Sequence, residues 1–241
     1  MSGVELVLVV VAAIATSALT AVVGAGGGLV LLLVLLQFVD PVVAIPLHGV
    51  IQLVSNGSRA ATLRGHVERR LLRWYLLPVL PFAIVGFLIA DAVPVDGTRL
   101  VIAVFALTAT WWPAATRWLG PKADGDVRRF AIVGTVAGVA NPVLGAPGPL
   151  LAPAFRAATS SHVAMVATFA VAQVINHSAK VAVFAVAGVA WGEHWALLAL
   201  AGGGVVIGTR LGTRLLPGVD PVTLDRLFRV VVTAGAIRLL M

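Results

Sequence analysis

The chain has 241 residues, of which 60% are hydrophobic and 11% charged, and its mean hydropathy is +1.03. A water-soluble domain needs about a quarter of its residues charged, so this composition excludes soluble, disordered and fibrous classes and makes lipid the solvent for much of the surface. There is no cysteine, which removes disulfides, thiolate metal sites and cysteine nucleophiles. The net charge of +7 comes from 17 basic and 10 acidic residues. The basic residues fall in gaps between apolar runs, where they orient a membrane chain instead of reading nucleic acid.

In chain order, residues 4–23 form the first apolar run. Its flank carries Glu5 and no Lys or Arg, so it reads as a retained helix and not a secretory signal, whose leading region is basic. Further runs long enough to span about 30 Å of hydrocarbon cover 41–63, 72–90, 98–116, 162–187, 195–215 and 222–240. Stretches 29–39 and 149–158 are too short, and 128–141 is marginal. Each short piece abuts a cluster of helix breakers, Gly24 to Gly28 in one case and Asn141 to Pro149 in the other. Both clusters are expected to interrupt a helix, in protein interior or beside a water-filled space, because lipid cannot satisfy freed backbone groups. Asp40 and Asp220 before prolines, and Ser160-Ser161, are the expected N-caps of the next helices.

Arg64, Arg69, Arg70 and Arg73 share one gap, Arg117, Lys122, Arg128 and Arg129 another, and Arg214 and Arg226 flank a third. These gaps are expected inside, and those at Asp91 to Asp96 and Gly188 to His194 outside. Counting crossings puts both termini and Asp40 outside and Arg156 inside.

A shift of about 120 residues lays the second half on the first. Gly24-Ala25-Gly26 falls on Gly145-Ala146-Pro147, Ala44 on Ala164, Asn56-Gly57-Ser58 on Asn176-His177-Ser178, Gly65 on Gly188, Gly86 on Gly208, and Val95-Asp96 on Val219-Asp220. The expected architecture is an all-α polytopic membrane domain of two repeats, residues 1–120 and 121–241. Each is a glycine/proline-broken hairpin followed by three spanning helices, and the charge pattern makes the two antiparallel. Inverted repeats with broken helices in matching positions are a secondary-transporter pattern, with the site at the repeat interface.

The Gly24 to Gly28 break, the Pro41-x-x-Ala44 helix start, Asn56 with Ser58, and the second copy from Gly134 to Gly188 resemble the TauE/SafE sulfite exporter family across essentially the whole chain. The resemblance implies movement of sulfite, sulfoacetate or a related small sulfur anion across the bacterial cytoplasmic membrane, with export the expected direction. The second copy departs from the first by carrying Pro147 and Pro149.

On the helix from Pro41, His48, Gln52, Ser55, Asn56 and Arg59 are spaced to share a face, and Gln173, Asn176, His177 and Lys180 do the same on the helix from His162. Each of these polar residues could instead tie neighbouring helices together. Arg59 and Lys180 are cations set back from the segment ends, while all ten acidic residues fall at ends or in loops. Intramembrane cations need a partner, and a bound anion is the candidate; for Arg59 the alternative is snorkelling to the inner interface. Helix N-termini at Gly28 and at Gly148, with Gly26, Gly27 and Gly145 beside them, would add N–H groups and partial positive charge. The set of candidate anion-binding residues is therefore these glycines and the two polar stripes. Gly134, Gly138, Gly204, Gly208 and Gly212 are assigned to helix packing.

No cofactor or metal is implied. His48 and His177 make protons a candidate coupling ion. No enzyme pattern survives: the glycine cluster fails the dinucleotide fingerprint, there is no His-Glu-x-x-His, and Ser55 with His48 has no carboxylate to orient a triad. A passive anion channel and an uptake permease for another small organic anion are the competing functions.

Overall fold

A computed structural model describes residues 1–112, 114, 115, 119, 127–215 and 221–241. Ten α-helices make up this part of the chain. They are α1 (Gly3–Val23), α2 (Gly27–Leu35), α3 (Pro41–Thr62), α4 (Arg69–Asp91), α5 (Val95–Trp111), α6 (Phe130–Leu144), α7 (Gly148–Ala158), α8 (His162–Val186), α9 (Trp195–Leu215) and α10 (Pro221–Leu240). The expected N-cap Asp220 lies outside the described residues, as does most of the basic gap around Lys122.

Among the described residues, five helical segments are long and apolar enough to cross a membrane: Gly3–Val23, Arg69–Asp91, Val127–Leu144, His162–Val186 and Trp191–Arg214. The marginal run qualifies because a single turn, Val127–Arg129, extends α6. The three expected spans that do not qualify fail for local reasons. α3 is 22 residues long but carries the polar stripe and Pro46, α5 stops at 17 residues, and α10 includes Asp225, Arg226, Arg229 and Arg238. In α3 the polar side chains are turned inward, which a count of hydropathy along the chain does not register.

The first break lies where the glycines place it. α1 closes on Gly24 at φ 87°, Gly26 follows at φ 100°, and α2 starts at Gly27. The second break is shorter than its composition implies. α6 continues through Asn141 and Pro142 to Leu144, and only Gly145, at φ 70°, Ala146 and Pro147 leave the helix. Pro142 forfeits one intrahelical bond but fits a fixed helical φ, so a proline near a helix end need not terminate it.

Packing is built on glycine. A Cβ on Gly134 would strike the Tyr75 carbonyl and one on Gly86 the Val139 carbonyl, so α6 and α4 touch backbone to backbone. Gly208 and Gly212 meet the carbonyls of Ile14 and Ala18, which joins α9 to α1 in the same manner. Between these pairs α3 packs on α8, and α2 packs on α1, α3 and α10. Outward faces such as Leu77, Leu80, Ile84 and Leu88 of α4 are exposed and apolar, as lipid contact requires.

Of the expected caps, Ser161 bonds the Ala164 N–H at 3.1 Å. Asp40 occupies its N-cap position but caps nothing; its carboxylate takes Arg99 instead, at 2.6 Å. At the other end of α3, about 33 Å away at 1.5 Å per residue, Glu68 ties two chain connections together. Its carboxylate accepts from the Ser160 N–H at 2.7 Å, the Ser160 hydroxyl at 2.9 Å and Arg70 at 2.9 Å. Arg70 also reaches the Ala158 carbonyl at 3.1 Å, and Thr168 accepts from the Glu68 N–H at 2.9 Å.

Burial alone would raise the Glu68 carboxyl, but the bonds from Ser160 and Arg70 outweigh it and hold the group below its ordinary value. A depressed folded-state pKa gives stability that is present above the unfolded value, about 4.3, and lost as pH falls through the folded one. Glu68→Gln is therefore expected to cost on the order of 1–2 kcal/mol near neutrality. In thermal melts of detergent-solubilised protein the gap between wild type and variant should close on acidification below about pH 4. A gap independent of pH would assign the effect to packing.

Candidate anion site between two half-helices

The two breaks bring the N-termini of α2 and α7 to one small cavity. Gly24, Ala25, Gly26 and Gly28 line it from the first break and Ala146, Gly148 and Pro149 from the second. Its polar wall comes from α3 and α8: His48, Gln52 and Asn56 face Gln173 and His177, with Thr20 of α1 at one side and Phe169 closing another. The volume is about 20 Å³, room for about one water molecule.

Each half-helix start is met by a glutamine. Gln52 lies against Gly28, where a Cβ would stand 3.3 Å from its amide carbon, and Gln173 Nε2 lies 3.6 Å from the corresponding point at Gly148. The N–H groups of Gly27, Gly28 and Gly148 have no acceptor among the described residues. Unpaired donors at helix N-termini carry partial positive charge and favour an anion.

The two polar stripes face one another as expected. His48 and His177 stack edge to face at 5.7 Å between ring centres. Each stripe is nevertheless split in two. Residues four apart, His48, Gln52 and Asn56 on α3 and Gln173 and His177 on α8, turn to the cavity. Ser55, Arg59, Asn176 and Lys180, each about 60° round the helix from the cavity-facing residue three positions before it, do not line it; Gly27 and Gly145 do not line it either.

Those off the wall still matter to it. Lys180 is fully buried and donates to the Gly145 carbonyl at 2.7 Å. It also approaches His48 Nδ1 at 3.4 Å, while His48 Nε2 lies 2.8 Å from the Gly28 carbonyl. An ammonium has only donors, so His48 accepts at Nδ1 and gives its Nε2 hydrogen to Gly28. Gly49 leaves the groove in which the lysine stem lies. Lys180 thus stands one residue behind the cavity and fixes both His48 and the turn at Gly145.

Arg59 is 1% exposed, so it does not reach the inner interface by snorkelling. It donates to Asn56 Oδ1 at 2.9 Å and Ser55 Oγ at 3.4 Å, and Asn56 in turn donates to the Gln52 amide oxygen at 3.2 Å. Ser55 joins Ser17 and, through it, Thr209, each contact 2.8 Å. No carboxylate lies within ion-pairing distance of Arg59 or Lys180 among the described residues. Arg59 Nε, Gln173 Oε1, His177 Nδ1 and both amide atoms of Asn176 are buried without a hydrogen-bond partner.

Sequence reasoning missed Thr20, Asn141 and Phe169. Asn141 donates to the Asn176 carbonyl at 3.0 Å and holds α6 to α8 beside the break. Thr20 and Asn141 occupy equivalent positions four residues before Gly24 and Gly145, so the repeat offset was the signal that could have found them.

Gly27 tests the geometry separately from any ligand. A Cβ there would collide with the Thr16 carbonyl and the Thr20 hydroxyl, whereas one on Gly57 meets nothing within 4 Å. Gly27→Ala is expected to destabilise by about 1–3 kcal/mol through overpacking, and Gly57→Ala to be neutral or slightly stabilising. Thermal melts of the pair check this; equal melting temperatures would mean that α2 is not seated on α1 as described.

The sequence model of the family described as Sulfite exporter TauE/SafE matches residues 8–239, nearly the whole chain. No curated protein and no solved structure matches significantly. With that coverage, and with several helices able to span a membrane, the chain belongs to the sulfite exporter TauE/SafE family of membrane transporters.

Proposed function

We propose that this chain carries a small sulfur oxyanion, sulfite or a short sulfonate such as sulfoacetate, across a bacterial cytoplasmic membrane, in the export direction. The observation that supports this reading best is the pair of unpartnered half-helix N-termini, α2 and α7, meeting at one cavity with a buried lysine and, among the described residues, no carboxylate behind it. An anion there would accept from the free N–H groups and the glutamine amides and would balance Lys180 through His48. His48 and His177 are the groups through which a proton could move with it.

Alternation between two inverted repeats, 1–120 and 121–241, is the proposed mechanism. It is supported by the repeating order of helices, spanning, short, then three more, in α1–α5 and α6–α10. It is also supported by the exchange of packing partners, α1 with α9 and α4 with α6, around the α3–α8 pair. A cavity of about 20 Å³ is too small for sulfite, so its walls must part to load, which favours a carrier over an open channel.

The test is flux into proteoliposomes of sulfite, sulfate, thiosulfate, sulfoacetate, taurine and a carboxylate analogue, with and without a pH gradient. Sulfite or a sulfonate is expected to move, and to be driven uphill by a gradient if a proton is coupled. Lys180→Met removes an intramembrane charge together with the bonds to Gly145 and His48, so the variant is expected to assemble its helices, checked by its melting temperature, with the cavity wall loosened. It should lower flux sharply and reduce the thermal stabilisation by sulfite, which for the wild type is about 2.7 kcal/mol at 100 times Kd. Wild-type flux with an unchanged ligand shift would place the site elsewhere.

A further inference from the structure

The cavity does not end in packed protein on every side. Ala25, Gly26 and Pro149, which form part of its wall, also form the floor of a much larger crevice of about 770 Å³. This crevice runs between α1, α7, α8 and α10 past Leu19, Val22 and Met165 to exposed Arg156, His162 and Asp225 at its mouth. His162 lies 2.8 Å from the Val22 carbonyl, and the Ala158 carbonyl beyond Arg156 is held by Arg70. The mouth is therefore at the end of the bundle that carries Arg64, Arg69, Arg70 and Arg73, the end that charge assigns to the cytoplasm.

At the floor of the crevice one side chain covers the first break. Phe228 of α10 is half-buried and lays its ring edge on Gly26, so that a Cβ there would stand 2.9 Å from Phe228 Cε2. Gly26 is at φ 100°, a conformation that excludes a side chain and leaves the backbone flat beneath the ring. The helix bearing Phe228 is clamped to α5. Arg229 pairs with Asp225 at 2.7 Å and lies over the Trp111 ring at 5.4 Å, and Trp111 donates to Thr233 at 2.9 Å. Against α2 the ring of Phe228 has no polar tie, so it can leave Gly26 without breaking a hydrogen bond.

We propose that Phe228 is the gate between this crevice and the cavity, and that the clearance it leaves over Gly26 sets the largest anion admitted from the arginine-bearing side. The proposal rests on the cavity being the anion site, but its test needs no transported substrate. Closed, the phenyl ring and Gly26 seal the cavity from the crevice; tilting the Phe228 end of α10 with α5, about the Gln37–Gly235 and Arg99–Asp40 contacts at the opposite end, lifts the ring and joins the two spaces. A bulkier residue at 228 narrows the passage and a smaller one widens it.

The experiment uses the natural absence of cysteine. Ala146→Cys places a thiol in the cavity wall and Ala152→Cys one in the crevice, and each is combined with native Phe228, Phe228→Ala or Phe228→Trp in reconstituted vesicles. Two membrane-impermeant methanethiosulfonates, the small sulfonatoethyl reagent and a bulky anionic one, are applied from the arginine-bearing side. Labelling at 152 should be fast in all backgrounds. Labelling at 146 should be slow with native Phe228, roughly tenfold or more faster with Ala and slower still with Trp, because the rate follows the fraction of time the passage is open. The preference at 146 for the small reagent should largely disappear with Ala. Equal rates at 146 in all three backgrounds, with melting temperatures showing each folded, would overturn the gate. A preference for the small reagent unchanged by Phe228→Ala would overturn the filter. Because no flux is measured, a chain that gates as described but moves no sulfur anion would refute the transport reading and leave this one standing.

Discussion

A helix interrupted inside a bilayer leaves backbone N–H and carbonyl groups that lipid cannot pair, and the rest of this fold follows from where those groups go. At the first break the answer is partly internal. Gly28 gives its carbonyl to His48, and the α2 start is pressed onto α1, where Gly27 allows contact with Thr16 and Thr20. At the second, Gly145 gives its carbonyl to Lys180. The carbonyls of Gly28 and Gly145 thus take basic side chains from α3 and α8, while the N–H groups of Gly27, Gly28 and Gly148 have no acceptor among the described residues. Free donors at two helix N-termini make a space that favours an anion over a cation.

Holding two such breaks face to face requires close helices around them. The glycine contacts of α4 with α6 and α1 with α9 let backbones touch at the periphery, and α3 with α8 fills the centre, each presenting a glutamine to a half-helix end. Lys180 links these layers, since its stem lies in the groove over Gly49 while its ammonium reaches both His48 and Gly145. Glu68 does the corresponding work at the arginine-rich end by joining the connection after α3 to the one before α8. α3 and α8 are thus tied to their neighbours by side chains along their length, whereas Phe228 of α10 meets Gly26 through apolar contact; nearer its other end α10 accepts from Gln37 at the Gly235 carbonyl, at 3.4 Å.

The fold was legible in the sequence because its strongest signals are local. The breaks at Gly24 to Gly28 and near Gly145, the Pro41 helix start and the Ser161 cap are each decided within a few residues. The end of α6 was not, since whether Pro142 terminates a helix depends on what packs around it. α3 was read as a span from length, and its weak hydropathy makes sense only once His48, Gln52, Asn56 and Arg59 are seen turned inward. The candidate site was legible as two stripes but not in its division. Ser55 and Arg59 lie off the cavity wall, and only the position of α1 and α9 shows that Ser55 meets Ser17 and, through it, Thr209. Phe228 carried no signal at all, because an aromatic residue in an apolar helix is ordinary until a glycine from a distant segment is found beneath it.

The central claim is that an anion sits between the two half-helix N-termini. Selenite is a close analogue of sulfite with a strong anomalous signal, and a crystal of the protein grown with it locates the selenium directly. The account predicts one peak within hydrogen-bonding reach of Gly28, Gly148, Gln52 and Gln173, with the cavity widened around it. A peak beside Arg59, or only among the exposed arginines at the Arg64 to Arg73 end, would contradict it.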